Sequence, residues 1–419
     1  MKKLVALLMV LFTSFVWAGE IKIGVIAPLS GPIAVYGQAT VNGFKLAAEK
    51  INEKGGILGN KIKLIIEDNK GDAAEAVNAA KKLINLDKVV AVLGPVISTN
   101  SLAVAPIMQE SKIPMLTPTG TNVKITEAGD YVSRVCFIDP FQGDVMANFA
   151  IDNLKVNSAV IMKDVNSDYS DGLGQAFKKR FEARGGKVIS EISYAAGDVD
   201  FTSQLTKIKI KKPDVIFVPG YYSEVALIVK QARDLKINST FLGGDGWDNG
   251  KLFEIAGSAI NGSYISTHFS PESADPMVQN FLKDYNSRFG EAPSVLAALG
   301  YDGADVMFAA MNRAGEINSE KIKDEINKTT KFKGVTGVIT LDKNRNAVKS
   351  AFVIEAKDGK FVYKTTVEPV VESTAKEVKQ AATKEPVKAP KKSNSNNTVI
   401  IAIIAVVALF IGVSLVKKK

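Results

Sequence analysis

A single cysteine and a single histidine stand in 419 residues. With only Cys136 there is no intrachain disulfide and no cysteine-based metal cluster. Cys136 lies in Tyr131-Val132-Ser133-Arg134-Val135-Cys136-Phe137, a run with strand character, which reads as a buried structural thiol. His268 has neither a second histidine nor a cysteine nucleophile to complete a zinc site or a triad. A Ser–Lys arrangement or a carboxylate pair stays open, but no spacing favours chemistry over binding. Phosphate loops are missing too. Gly243-Gly244-Asp245-Gly246 is glycine-rich without the spacing of either phosphate motif. It reads as a turn, or as a carboxylate that a ligand can approach closely because glycine removes obstructing side chains. Asp164 to Ser170 opens like a calcium loop, but Tyr169 stands where the loop needs glycine and Gln175 where it needs a bidentate glutamate. No metal and no cofactor is expected.

Net charge is scarce in the part expected to fold. The formal net charge is +9, but residues 369–419 hold nine lysines against three glutamates and residues 1–18 hold two lysines, which leaves +1 for residues 19–368. That balance gives no support to nucleic-acid binding.

The two ends read as addresses. Lys2-Lys3, apolar Leu4 to Trp17 and the small-residue site ending at Ala18 predict a signal peptide over 1–18 and an exported chain. Residues 369–397 are rich in Lys, Glu, Ala, Thr, Pro, Ser and Asn and predict a flexible linker. Residues 398–416 carry no charge and precede Lys417-Lys418-Lys419. They predict a transmembrane helix that tethers the exported domain to the outer face of the cytoplasmic membrane.

Between the ends, short apolar β-branched runs alternate with helical patterns. Strands are expected at 21–27, 61–67, 89–93, 159–162, 187–194, 215–218 and 241–242, separated by helices at 37–54, 73–86, 102–110, 174–184, 201–211 and 223–235. This alternation predicts an α/β fold with parallel sheets covered on both faces. Further helices are expected at 277–289, 295–314 and 320–328, followed by strands at 335–341 and 351–356 and a hairpin to 361–363. The stretch from Val89 to Thr121 holds two strand–loop–helix steps in tandem. Ser98-Thr99-Asn100-Ser101 offers N-caps for a helix from Leu102, and Thr117-Pro118-Thr119-Gly120-Thr121 forms the second loop. Adjacent parallel strands deliver both loops to the carboxyl edge of the sheet, where open α/β folds bind ligands. Free N–H groups at a helix start suit a small anion. Either loop alone reads as an ordinary cap or turn; two in tandem read as a ligand site.

Ser30-Gly31-Pro32, Tyr36-Gly37, Gly243 to Asp248 and Ala298-Leu299-Gly300-Tyr301-Asp302 join that stretch in a pattern that resembles the type I periplasmic binding proteins of ABC importers, in particular the branched-chain amino-acid-binding group. The likeness covers about Ile21 to Tyr363. It implies two Rossmann-like lobes joined by three crossings, with lobe one at 19–138 plus 267–338 and lobe two at 139–266 plus 339–368. It implies that Ser98 and Thr121 hold an α-carboxylate, with Gly120 in the same loop, and that the Thr119 carbonyl and Asp245 meet an α-ammonium. The branched-chain binders carry glutamate where this chain has Asp245. Tyr36, Tyr169 and Tyr221 match aromatic walls of the pocket. Val96, Ile97 and Leu296, the last where leucine binders carry phenylalanine, favour an apolar side chain. The expected function is that of a monomeric solute-binding subunit, not an enzyme, that delivers an amino acid to a membrane permease. A ligand-sensing ectodomain is the alternative of a different class. A small amide or carboxylic acid is the alternative ligand.

Overall fold

The computed structural model describes residues 19–369, so the expected leader, the linker beyond Pro369 and the apolar segment 398–416 lie outside the described residues. Among the described residues no helix is long and apolar enough to cross a membrane. The chain starts with β1 (Glu20–Ala27), α1 (Ala34–Glu53), β2 (Lys61–Asp68), α2 (Ala73–Lys82), β3 (Ala91–Leu93), α3 (Ser98–Glu110), β4 (Met115–Thr117), α4 (Lys124–Glu127) and β5 (Val132–Arg134). These five strands form one parallel sheet in the order β2-β1-β3-β4-β5. Its central strands β3 and β4 are wholly buried, which is why they read as continuous apolar runs rather than alternating ones.

A second set follows: α5 (Asp139–Asp152), β6 (Ser158–Asp164), α6 (Asp168–Ala183), β7 (Lys187–Tyr194), α7 (Thr202–Lys211), β8 (Val215–Phe217), α8 (Tyr222–Asp234), β9 (Thr240–Gly243), α9 (Lys251–Ala256) and β10 (Ser263–Thr267). Its parallel part runs β7-β6-β8-β9-β10, the same order as the first sheet although no sequence repeat announces it. The chain then returns to the first sheet with α10 (Pro276–Phe289), α11 (Val295–Ala314), α12 (Ser319–Asn327) and a small antiparallel sheet of β11 (Phe332–Gly334), β12 (Gly337–Leu341) and β13 (Ala347–Val348). Finally β14 (Ala351–Lys357) and β15 (Lys360–Val367) add antiparallel strands to the second sheet beside β10. The backbone thus passes between the two sheets three times. The expected lobe boundary at 338/339 falls inside β12.

Glycine sets one packing distance. A Cβ at Gly43 would lie 2.1 Å from the Ala297 carbonyl oxygen, and one at Gly300 would lie 2.3 Å from that of Thr40. Only the paired glycines let α1 and α11 approach so closely, and α11 carries Leu296 to the cleft.

Two departures from the expected elements matter. Helix α3 begins at Ser98, not Leu102, and its N-cap Ile97 makes no side-chain bond. The hydroxyls expected to cap it are engaged elsewhere: Ser98 Oγ accepts from Asn122 N (3.2 Å), Thr99 Oγ1 accepts from Asp168 N (3.1 Å), and Ser101 Oγ donates to the Pro95 carbonyl (3.1 Å). Helix α5 and strand β10 had no counterpart in the sequence reading. Val145, Met146, Ala147, Phe149 and Ala150 are all buried along α5, so no amphipathic stripe marks it.

Candidate functional site

In both sheets the strand order reverses beside the first strand, at β1/β3 and at β6/β8, and the loops at the carboxyl ends of those strands face one another. Between them lies a cavity of about 30 Å³ lined by Tyr36, Val96, Ile97, Ser98, Thr119, Tyr169, Tyr221, Asp245, Gly246 and Leu296. Nine of these are residues singled out from sequence, and Gly246 is an addition. Gly120 and Thr121 sit behind the wall. The Gly120 carbonyl accepts from Arg134 Nη1 (2.7 Å) and Cys136 Sγ (3.3 Å), and the Thr121 carbonyl accepts from Asp139 N (3.0 Å).

The first-sheet side offers neutral donors. With no side-chain cap, the first N–H groups of α3 have no intrahelical partner, and the Ser98 hydroxyl lines the cavity next to them. The Thr119 hydroxyl is used internally, donating to the Val96 carbonyl. The second-sheet side offers one carboxylate. Asp245 opens a 3-10 turn, Asp245–Trp247, pinned by the fully buried Trp247, whose Nε1 donates to the Val218 carbonyl at 2.9 Å. Three tyrosines complete the walls: Tyr169 and Tyr221 stack at 5.4 Å between centroids, and Tyr36 meets Tyr221 edge-on at 5.6 Å. Burial pushes all three phenols upward, so they stay neutral donors.

Three functional groups behind the wall were not found from sequence. Gln142 Nε2 donates to Asp245 Oδ1 at 3.1 Å, and His268 Nε2 lies 3.0 Å from Asp245 Oδ2. Tyr169 adds a third bond, its hydroxyl donating to Asp245 Oδ1 at 2.9 Å. Burial lowers the His268 pKa to about 4, more than the neighbouring Asp245 restores, so the ring is neutral near pH 7. A carboxylate only accepts, so Nε2 carries the proton. The third group is Asp139, 1% exposed, with neither carboxylate oxygen hydrogen-bonded. Burial drives its pKa up to about 8; the Thr121 hydroxyl, close by but outside hydrogen-bonding geometry, offsets this only in part. In the sequence His268 stands out only as the single histidine, and nothing marks Gln142 or Asp139.

The cleft is shut. Tyr36 Oη donates to the Gly246 carbonyl and accepts from Tyr222 N (3.2 Å), and Tyr222 Oη donates to the Pro32 carbonyl (3.0 Å). On the other flank Asn122 Nδ2 donates to the Asp168 carbonyl at 2.8 Å. Entry of a ligand requires these contacts to open.

Two switch-point crevices facing each other across three crossings are the architecture of a two-lobed binder, and the family model for periplasmic binding proteins matches residues 20–360. The chain belongs to that family. The binding protein is 37% identical over 258 residues to a Leu/Ile/Val-binding protein, BraC3, of Rhizobium johnstonii, covering 61% of this chain and 70% of the relative. A crystal structure of the leucine-binding protein LivK from Thermotoga maritima superposes with a TM-score of 0.80 at 41% identity, over 83% of this chain and 99% of that one. LivJ from Streptococcus pneumoniae, solved in complex with isoleucine, gives a TM-score of 0.78 at 34% identity, over 84% of this chain and 99% of that one.

Proposed function

We propose that this binding protein is the solute-binding subunit of an ABC importer, which takes a branched-chain or other apolar α-amino acid between its lobes and presents it to a membrane permease. The observation that carries the reading is the pairing of opposite ligand chemistries across one cavity. Free helix N–H groups and Ser98 suit a carboxylate, and Asp245 opposite them suits an ammonium. An α-amino acid carries both charges. Thr121, set behind Ser98, reaches the carboxylate when the cleft opens and re-closes on ligand, and the Thr119 carbonyl takes a second ammonium hydrogen. Val96, Ile97 and Leu296 surround the apolar side chain, and relatives named for leucine, isoleucine and valine agree with that choice. A thermal-shift screen of the purified protein against amino acids, amides and aromatic acids tests it. A ligand at a hundred times its Kd adds about 2.7 kcal/mol of stability. Leucine, isoleucine or valine should give the largest shift, and a screen in which no α-amino acid stabilises the protein rejects the reading.

A carboxylic acid without an ammonium is the second reading. One observation favours it: Asp245 already accepts three internal hydrogen bonds and needs no cation to be satisfied. A structural relative from Rhodopseudomonas palustris, at 25% identity and a TM-score of 0.76 over 85% of this chain and 99% of that one, was solved with 3,4-dihydroxybenzoic acid. The same screen separates the two.

Tethering belongs to this proposal as well. The charge-free residues 398–416 followed by three lysines suit a membrane anchor behind a linker whose r.m.s. reach is roughly 30 Å. Deleting residues 398–419 should move the protein from the membrane fraction to the soluble one. Continued sedimentation with membranes would reject the anchor.

A further inference from the structure

The Asp245 carboxylate is caged. Its Oδ1 accepts from Tyr169 and Gln142 and its Oδ2 from His268, all three donors neutral and buried. Gln142 grips the same residue twice: its Oε1 accepts from Asp245 N at 2.9 Å while its Nε2 donates to the side chain. Ser266 Oγ, donating to Gln142 Oε1 at 3.1 Å, fixes the orientation of that amide. On the other side the His268 ring is fixed by stacking on Phe137, with centroids 3.4 Å apart and planes inclined by 20°. Glycine makes room for the arrangement, because a Cβ at Gly244 would lie 2.1 Å from Gln142 Oε1 and 2.5 Å from the Tyr169 hydroxyl. Neither Gln142 nor His268 lines the cavity, and both are fully buried.

These donors come from α5, α6 and the segment after β10, all on the second-sheet side apart from the crossing that bears His268. The carboxylate therefore keeps its position whether or not the first-sheet loops close over it. A carboxylate offers about four lone-pair directions, and three are taken. One remains, and Asp245 lines the cavity.

We propose that Gln142 and His268 are positioning residues that hold Asp245 with one oxygen lone pair aimed into the cavity, so that the site discriminates a ligand bearing an ammonium from the same ligand without it. This rests on the amino-acid reading above. A residue that only stabilised the fold would weaken every ligand alike. A residue that aims Asp245 would weaken only ligands that use Asp245.

The test measures binding of L-leucine by calorimetry and of its 2-hydroxy acid counterpart by competition. The proteins are the parent, Asp245→Asn, Gln142→Met, His268→Leu, His268→Gln and the double variant Asp245→Asn/Gln142→Met. Gln142→Met keeps the volume without the polar atoms. In the parent, leucine should bind far more tightly than the hydroxy acid. Gln142→Met and His268→Leu should each reduce that preference about 10- to 100-fold, the range for a hydrogen bond to a charged group. His268→Gln, whose amide can replace the Nε2 donor, should restore most of it. In the Asp245→Asn background, Gln142→Met should change the preference no further. Equal losses for both ligands in the single variants would overturn the positioning role, as would failure of His268→Gln to restore the preference. Absence of any preference in the parent, unchanged in Asp245→Asn, would overturn the amino-acid reading and this proposal with it. Should Gln142→Met not fold, the contrast between His268→Leu and His268→Gln decides alone.

Discussion

Asp245→Asn is expected to weaken amino-acid binding by about a hundred- to several-thousand-fold. Asp245 is 9% exposed, and the closed cleft excludes water around it, so the ammonium it meets is desolvated rather than screened. Removing one partner of a buried pair costs about 3–5 kcal/mol, which converts to that range of affinity. The cage makes asparagine a poor substitute. Three donors converge on the two carboxylate oxygens, so an amide NH₂ must face either His268 Nε2 or the pair Gln142 and Tyr169. Ser98→Ala should cost no more than about tenfold, since the N–H groups at the start of α3 remain. Calorimetry on both variants with the same amino acid checks the comparison, after circular dichroism has confirmed folding. Parent-like affinity in Asp245→Asn would show that Asp245 does not pair with the ammonium.

The second large effect is on stability and depends on pH. Asp139 is buried with both oxygens unpaired, and its pKa rises to about 8 from the usual value near 4. Between those values the native state keeps a proton that the unfolded chain has released. Stability is therefore lost as pH rises from about 4 to about 8, by up to roughly 5 kcal/mol at 1.36 kcal/mol per unit. Asparagine cannot ionise and escapes that loss. Asp139→Asn should match the parent near pH 4 and exceed it increasingly toward pH 8 in thermal unfolding without ligand. His268 acts in the opposite sense. Its native pKa of about 4 lies below the unfolded value near 6.5, so its contribution is lost as pH falls through that window. Both proteins contain His268, and the difference between them isolates Asp139. A difference that stays flat from pH 4 to pH 8 would mean that Asp139 is already paired in solution.

Most of the architecture was legible because it rests on local pattern. Buried parallel strands such as Ala91–Leu93 and Val215–Phe217 must be apolar on both faces, and the helices between them carry the complementary periodicity, so α/β alternation is written along the chain. The loops after β3, β4 and β9 were also visible, since an open α/β sheet puts strand ends at its binding edge whatever lies opposite. Val96, Ile97, Ser98, Thr119 and Asp245 follow from that rule together with the family resemblance, and the cavity gathers them.

Local pattern along the chain therefore fixes the class of fold, the edge on which the site lies and the residue types that edge presents. Tertiary structure decided how those residues are held. Gln142 and Asp245 are 103 positions apart, and Tyr36 meets Gly246 across 210. No periodicity encodes such pairs, because their hydrogen bonds form only after two sheets of the same strand order have been brought edge to edge by three crossings. The same packing withdrew the Gly120 carbonyl to Arg134 and Cys136, left Asp139 without a partner, and turned a lone histidine with no motif into one donor of a three-donor cage. Burial is a property of the assembled chain, and it is burial that moves these pKa values and gives each bond to Asp245 its strength.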